Sequence, residues 1–241
     1  MISAWSSGKK IEAFCLGHGD IMGGLILPRG ATLPDLIDHL IVGFDQALRT
    51  LTGQISSERA SPSSALAEAD MDNAAKQHVI GLMRVNHTGE ICAQALYEGQ
   101  ALMARNDEAR GALVDAAQEE RDHLVWCRER VDELGGRTSV LDPIFYGASF
   151  VMGAATGLIG DKVSLGFVEA TEDQVVEHLD RHLQDLPEED VRSRAILEQM
   201  REDEARHGDH ALALGGEEFP RPVKAVMSVA SRLMTESTYR I

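Results

Sequence analysis

Two Glu-x-x-His pairs, Glu120/His123 and Glu204/His207, constrain this chain more than any other feature. Each follows a lone glutamate at nearly the same distance: Glu90 lies 30 residues before Glu120, and Glu172 lies 32 before Glu204. Residues i and i+3 share a helix face, so each pair sets a carboxylate beside an imidazole. A glutamate one helical hairpin upstream can face them. Four carboxylates buried together without cations would be very costly. Two divalent ions balance four glutamates, and mixed oxygen and imidazole donors suit iron or manganese better than a thiolate-seeking metal. Glu90, Glu120, His123, Glu172, Glu204 and His207 are therefore the candidate ligands of a carboxylate-bridged di-iron site. The expected fold is all-α: a ferritin-like four-helix bundle with a di-iron centre, plus extra N- and C-terminal helices.

By count the pairs are weak evidence, because this composition supplies about one Glu-x-x-His by chance. Their placement carries the weight: each sits on a helical pattern, one hairpin after another inward glutamate. An acidic helical protein with solvated Glu and His offers the same residues. Flanking residues add to the metal reading. Glu119 precedes Glu120, and Asp203 precedes Glu204 in the run D-E-A-R-H. A ligating histidine usually donates its second N–H to a carboxylate. Asp203 and Glu119 are candidates, each reaching the histidine of the other half; each is equally an ordinary surface acid in a chain of net charge −16.

Periodicity organises the rest. Residues 34–51 read as an amphipathic leading helix with Leu36, Leu40, Phe44 and Leu48 at four-residue steps. Residues 53–72 are rich in Ser, Ala and Glu and read as a linker. Helices follow over 74–104 and over 106–134, the second ended by Gly135-Gly136. Residues 143–183 hold an apolar stretch and then the Glu172 helix, which Pro187 stops. Residues 188–214 form the fourth helix, ended by Gly215-Gly216, and 221–235 a last one. The division is thus 1–73, a variable extension with leading helix and linker, and 74–241, the di-iron domain. The two hairpins look like internal repeats of one half-site. Gly89 inside a helical pattern costs about 1 kcal/mol against Ala, which points to close approach of a backbone or ligand, or to simple tolerance. His87 shares the face of Glu90 and reads as a core histidine.

R-V-N-H-T-G-E at 84–90, E-E-R-D-H-L at 119–124, A-T-E-D-Q-V-V-E-H-L at 170–179 and D-E-A-R-H at 203–207 together resemble the four motifs of the demethoxyubiquinone hydroxylase family, in its bacterial form. D-P-I-F-Y-G at 142–147 and the ending S-T-Y-R-I extend the resemblance from about Gln77 to Ile241. It implies two iron ions held by the same six residues, with O2 as co-substrate, and ring hydroxylation of a polyprenyl demethoxyubiquinol to demethylubiquinol. It places His178 near the metals. It further implies a quinol substrate drawn from the bilayer, peripheral attachment to the cytoplasmic side of the cell membrane, and contact with other ubiquinone-biosynthesis proteins. Residues 1–30 look unlike the family's usual start; they read as a variable extension or an upstream start codon, with no secretory signal.

Two segments suggest how such a substrate is reached. Residues 143–160 form a run of 18 without a charged side chain, a length at the lower limit for a membrane span. Asp142 and Asp161 flank them and four glycines interrupt them, so a helix at the membrane interface, or lining a channel for a polyprenyl tail, is expected; a buried core helix is the bland reading. Residues 221–240 carry an apolar stripe (Val223, Val226, Met227, Ala230, Leu233, Met234) with Arg221, Lys224, Arg232 and Arg240 against Glu236. That suits an anionic lipid surface or a cap on the bundle.

The strongly acidic balance argues against nucleic acid as partner. Cys15, Cys92 and Cys127 are too scattered for a disulfide framework, and Cys92 and Cys127 read as small core residues rather than ligands. No Rossmann glycine fingerprint or flavin motif identifies an electron donor. Two rivals stand beside the hydroxylase: a ferritin- or rubrerythrin-type iron oxidase or peroxidase, disfavoured by the lack of C-x-x-C pairs and by the apolar 143–160 segment, and a non-enzymatic, membrane-associated quinone-binding helical protein.

Overall fold

The structure is a computed structural model that describes residues 33–241, without the side chains of residues 33–40 and 42. The expectations for residues 1–30 and Cys15, and for Leu36 and Leu40 in the leading helix, lie outside the described residues. Among those described there are seven helices and no strand: α1 (Leu33–Thr52), α2 (Asn73–Met103), α3 (Asp107–Glu133), α4 (Asp142–Ile159), α5 (Asp161–Asp185), α6 (Val191–Ala213) and α7 (Arg221–Thr238).

The four long helices α2, α3, α5 and α6 form the bundle, and two apolar clusters mark its ends. Val79, Ile80, Met83, Trp126, Val131, Leu179, Leu197 and Met200 pack at one end. Tyr97, Ala101, Leu113, Leu165, Val168 and Ala211 pack at the other. Along every one of the four helices the candidate ligands fall between the two clusters. The order of these residues fixes the topology. α2 and α6 run from the first cluster to the second, α3 and α5 run back. Because α3 finishes and α5 begins at opposite ends, the chain must cross the length of the bundle, and α4 makes that crossing. This is the ferritin-like arrangement with one long connection.

Local chemistry sets the ends. Asp72, Asn106 and Asp190 cap α2, α3 and α6, each accepting a first-turn N–H. α3 and α6 finish alike. The N–H of Gly136 reaches the carbonyl of Val131 at 2.8 Å, and that of Gly216 reaches Ala211 at 3.0 Å, both in the six-to-one pattern of a glycine C-terminus. The two hairpins therefore repeat in their stops as well as in their acids.

α4 explains the glycines that interrupt its apolar run. It lies parallel to α2 at very short range. A Cβ on Gly153 would stand 2.1 Å from the carbonyl oxygen of Leu96, and one on Gly99 would stand 2.3 Å from that of Phe150. Only glycine permits this approach. Gly160, at φ 150° and ψ 161°, separates α4 from α5 in a conformation almost confined to glycine. On its other side α4 exposes Ile144, Val151, Met152, Leu158 and Ile159. It is neither a fully buried core helix nor a membrane span: no helix of the described residues is long and apolar enough to cross a membrane. In α7, Val226, Val229 and Leu233 are exposed, while Met227 and Met234 are half-buried.

Residues 53–72 do more than link. They form an irregular strap tied down at two points. Arg59 reaches α3 and α6, and Glu68 forms a two-oxygen pair with the buried Arg130 of α3, at 2.6 and 3.0 Å. Arg130 also donates to Asp190 and Ser193 at the start of α6, both at 2.8 Å.

Candidate metal centre

Glu90 comes from α2, Glu120 and His123 from α3, Glu172 from α5, and Glu204 and His207 from α6. All six are buried; His207 is the most exposed, at 8%. The helical i, i+3 spacing turns each histidine's Nδ1 to its own glutamate, at 3.2 Å for His123–Glu120 and 3.1 Å for His207–Glu204. Each Nδ1 also faces the other half: His123 lies 3.1 Å from Glu204 Oε1, and His207 lies 3.2 Å from Glu120 Oε1. Glu90 Oε2 stands 3.8 Å from His123 Nδ1. Single donor atoms from Glu90, Glu120, His123 and Glu204 lie within 4.8 Å of one another. Glu172 stands apart from that foursome and accepts a short hydrogen bond from the buried hydroxyl of Tyr97.

Such crowding dictates the charge states. Burial, with Glu120 and Glu204 close by, drives Glu90 well above the usual carboxylate range, and burial does the same to Glu172. Burial would raise Glu120 too, but the imidazoles of His123 and His207 pull it well below. Burial opposes charge on the histidines, yet the surrounding carboxylates win: His123 is raised well above the ordinary value, and His207 is raised to about 12.

The far nitrogens are crossed. Nε2 of His123 on α3 meets Asp203 Oδ2 of α6 at 3.0 Å, and Nε2 of His207 on α6 meets Glu119 Oε2 of α3 at 3.2 Å. Arg206 bridges the two acids, donating to Asp203 Oδ1 at 2.9 Å and to Glu119 through a shorter contact. Burial would raise Asp203, but His123, Arg59 and Arg206 hold it well below its usual range.

His178 lies further along α5, its ring centre 3.9 Å from that of His182 with the two planes tilted by 58°. Its Nε2 is buried and without a hydrogen-bond partner. Burial and then Arg181 lower its pKa to about 4, so it is neutral near pH 7. His178 lines a cavity of about 440 Å³ whose wall includes Glu90, Glu172 and Glu204. The rest of the lining is mainly apolar, with Phe145, Phe167 and Met227 prominent. Met152 of α4 and Val226 of α7 belong to the same wall and are 49% and 71% exposed, so the cavity opens between those helices. Gly89 faces it: a Cβ there meets nothing within 4 Å, so the glycine borders open space and no backbone presses on it. His87 is fully buried, 3.3 Å from Asp142. A second apolar cavity of about 440 Å³ lies beneath α1, against Phe44, Glu98 and Tyr146, and none of the six residues lines it.

Sequence reasoning missed Arg59 and Tyr97. Arg59 lies in an irregular stretch and finds its partners 63 and 144 positions away. Tyr97 stands seven residues after Glu90, two helical turns on the same face, which is the one sign of its contact with the site.

The donor set fits a metal site. Glu120 Oε1 and Glu204 Oε1 are buried acceptors that make no aligned hydrogen bond and face only the opposite half's Nδ1, at 3.2 and 3.1 Å. Both Nδ1 atoms face inward while both Nε2 atoms are held by carboxylates, the usual way an imidazole is presented to a metal. Cys127 is buried beside Met200, with 3.6 Å between the sulfurs, and burial holds its thiol well above the ordinary value.

A family model described as ubiquinone biosynthesis protein COQ7 matches residues 77–238. Curated relatives agree. A 3-demethoxyubiquinol 3-hydroxylase of Ectopseudomonas mendocina is 57% identical over 206 residues, covering 85% of this chain and 96% of the relative. One of Pseudomonas paraeruginosa is 58% identical over 207 residues, with the same coverage. One of Azotobacter vinelandii is 57% identical over 205 residues, covering 85% and 95%.

Proposed function

We propose, from the premise that this chain belongs to the family of ubiquinone biosynthesis protein COQ7, that it is a monooxygenase placing one oxygen atom of O2 on the ring of 3-demethoxyubiquinol as a hydroxyl and releasing the other as water, with two electrons from an external reductant. The observation that carries this reading is an apolar cavity whose wall includes three of the six candidate ligands, Glu90, Glu172 and Glu204, and which opens between α4 and α7. A soluble iron store has no use for such a passage; a lipid-soaked quinol needs one.

Glu90, Glu120, His123, Glu172, Glu204 and His207 hold two iron ions in this proposal. When bound, the iron pair supplies the oxidising chemistry that O2 cannot perform unaided. The protein's own contribution is placement and exclusion. Asp203 and Glu119 fix the two imidazoles through Nε2, leaving Nδ1 for the metal. Phe145 and Phe167 give the quinol ring apolar walls and keep water from the reacting carbon. His178, neutral and with Nε2 unpartnered, receives the hydrogen bond of a quinol hydroxyl. Tyr97 holds Glu172 from the side away from the cavity.

The polyprenyl tail leaves through the opening beside Met152 and Val226, where the exposed apolar residues of α4 and α7 rest on the membrane. Attachment is peripheral, on the cytoplasmic face of the cell membrane, with other ubiquinone-biosynthesis proteins as neighbours. Deleting the gene and profiling cellular quinones tests the reading. Demethoxyubiquinone should accumulate, and the intact gene, but not one encoding Glu204→Ala, should clear it. A normal quinone profile in the deletion strain overturns the assignment.

A further inference from the structure

The two halves of the centre share a ligand pattern but are built unequally. Asp203, which holds His123, is 1% exposed and is gripped by Arg59, Arg206 and Gln199. Glu119, which holds His207, is 35% exposed and pairs with Arg206. The His207 side also borders a solvent-facing pocket lined by Asp115, Asp209 and His210.

Arg59 makes the difference. It belongs to no helix, yet its guanidinium meets both halves. Nε donates to Asp122 Oδ2 of α3 at 2.7 Å, and an η nitrogen donates to Asp203 Oδ2 of α6 at 2.8 Å. The other η nitrogen lies 3.3 Å from His123 Nε2, so Arg59 and His123 converge on one oxygen of Asp203. The guanidinium carbon sits 4.9 Å from the ring centre of Trp126, which in turn packs 5.4 Å from the His123 ring. Asp122 also accepts the backbone N–H of Glu58 at 2.7 Å, which fixes the strap itself and not only its side chain. A planar fork with several fixed donors suits this task; a lysine offers one point charge.

We propose that Arg59 is a positioning residue that makes the two metal positions unequal. By locking Asp203 onto His123 across the seam between α3 and α6, it makes the His123 position the slowly exchanging one. The His207 position, held through a half-exposed glutamate, exchanges quickly. This rests on the reading that the six residues bind two metal ions.

The test uses the full chain loaded anaerobically with ferrous iron and mixed with excess ferrous chelator, following the coloured complex over time. The intact protein should release its iron in two phases of equal amplitude. Arg59→Gln should accelerate the slow phase by roughly 10–100-fold, the range expected when the partner of a ligating histidine is disturbed, and leave the fast phase unmoved. Glu119→Gln should accelerate only the fast phase. Arg59→Lys should recover part of the slow phase. Unchanged release from Arg59→Gln, or equal acceleration of both phases, overturns the proposal and makes the strap merely structural. Should Arg59→Gln not fold, Arg59→Lys carries the test: a faster slow phase supports the proposal, and wild-type kinetics overturn it. A single phase from two irons per chain in the intact protein also contradicts it. Fewer than two irons per chain contradicts instead the metal reading beneath it.

Discussion

Asp203 on α6 lies 3.0 Å from Nε2 of His123 on α3, so the acid beside one half's glutamate orients the other half's histidine. Glu119 returns the favour to His207 at 3.2 Å. Neither half-site is complete without the other, although the hairpins look like repeats.

The crossing gives a graded expectation. Asp203→Asn should lower iron affinity by roughly 10–100-fold while the helical signal and melting curve stay close to wild type. Glu119→Gln should cost less, because Glu119 is half-exposed and water can replace part of its hydrogen bonding. Chelator competition at equilibrium measures both, and wild-type affinity in Asp203→Asn would show that the carboxylate does not support the ligand.

Much of this was legible in the sequence, for a physical reason. Glutamate and histidine three apart must share a helix face, and hairpin spacing brings two such faces together, so the meeting of Glu90, Glu120, His123, Glu204 and His207 follows from periodicity. The place of Asp203 and Glu119 one residue before each pair left two readings open, a partner for the other half's histidine or a surface acid, and the structure brings each within 3.2 Å of that histidine. Arg59 was not, because an irregular segment has no period and its contacts depend on where the strap happens to lie. The 53–72 stretch looked like a solvated linker by composition, yet its few charged residues do the tying. For α4, sequence alone could not choose among core, interface and channel wall. The answer depends on glycines matched between α2 and α4, a pairing visible only once both helices are placed.

Metal uptake should release protons. In the metal-free site His207 is raised to about 12 and His123 well above its ordinary value, burial opposing and carboxylate hydrogen bonds prevailing. A proton that the carboxylates hold on either imidazole must leave before its Nδ1 can bind metal. Calorimetric titration in buffers of different ionisation enthalpy should give heats that differ accordingly; heats independent of buffer would contradict the protonated site. The same shift fixes a trend in stability. A histidine whose folded pKa is raised contributes fully below its unfolded value of about 6.5 and loses that contribution as pH climbs towards the folded one. The metal-free protein should therefore weaken progressively above about pH 6.5.

Arg130 should matter for stability without touching the centre. It is fully buried, and it joins Glu68 of the strap to Asp190 and Ser193 of α6. Arg130→Met would strand the buried Asp190 carboxylate, at a cost of about 3–5 kcal/mol. Urea denaturation reads this directly, and a loss below about 1 kcal/mol would place the pair among ordinary surface bridges.

Val151 tests the membrane face. It is 67% exposed on α4 and is absent from the walls of both cavities described above, whereas its neighbour Phe150 lines the cavity beneath α1. Val151→Asp should weaken binding to anionic liposomes and raise the apparent KM for long-tailed quinols, with kcat on a short-tailed analogue unchanged. Equal losses on both substrates would point to damage within the bundle.

The most direct test of the whole account is the origin of the new oxygen. The iron-loaded protein, given a reductant and a short-tailed demethoxyubiquinol analogue under 18O2, should yield a product carrying one 18O atom on the ring, and Glu172→Ala or His207→Ala should yield none. A product labelled from water, or undiminished turnover in those variants, would contradict a di-iron hydroxylase built on these six residues.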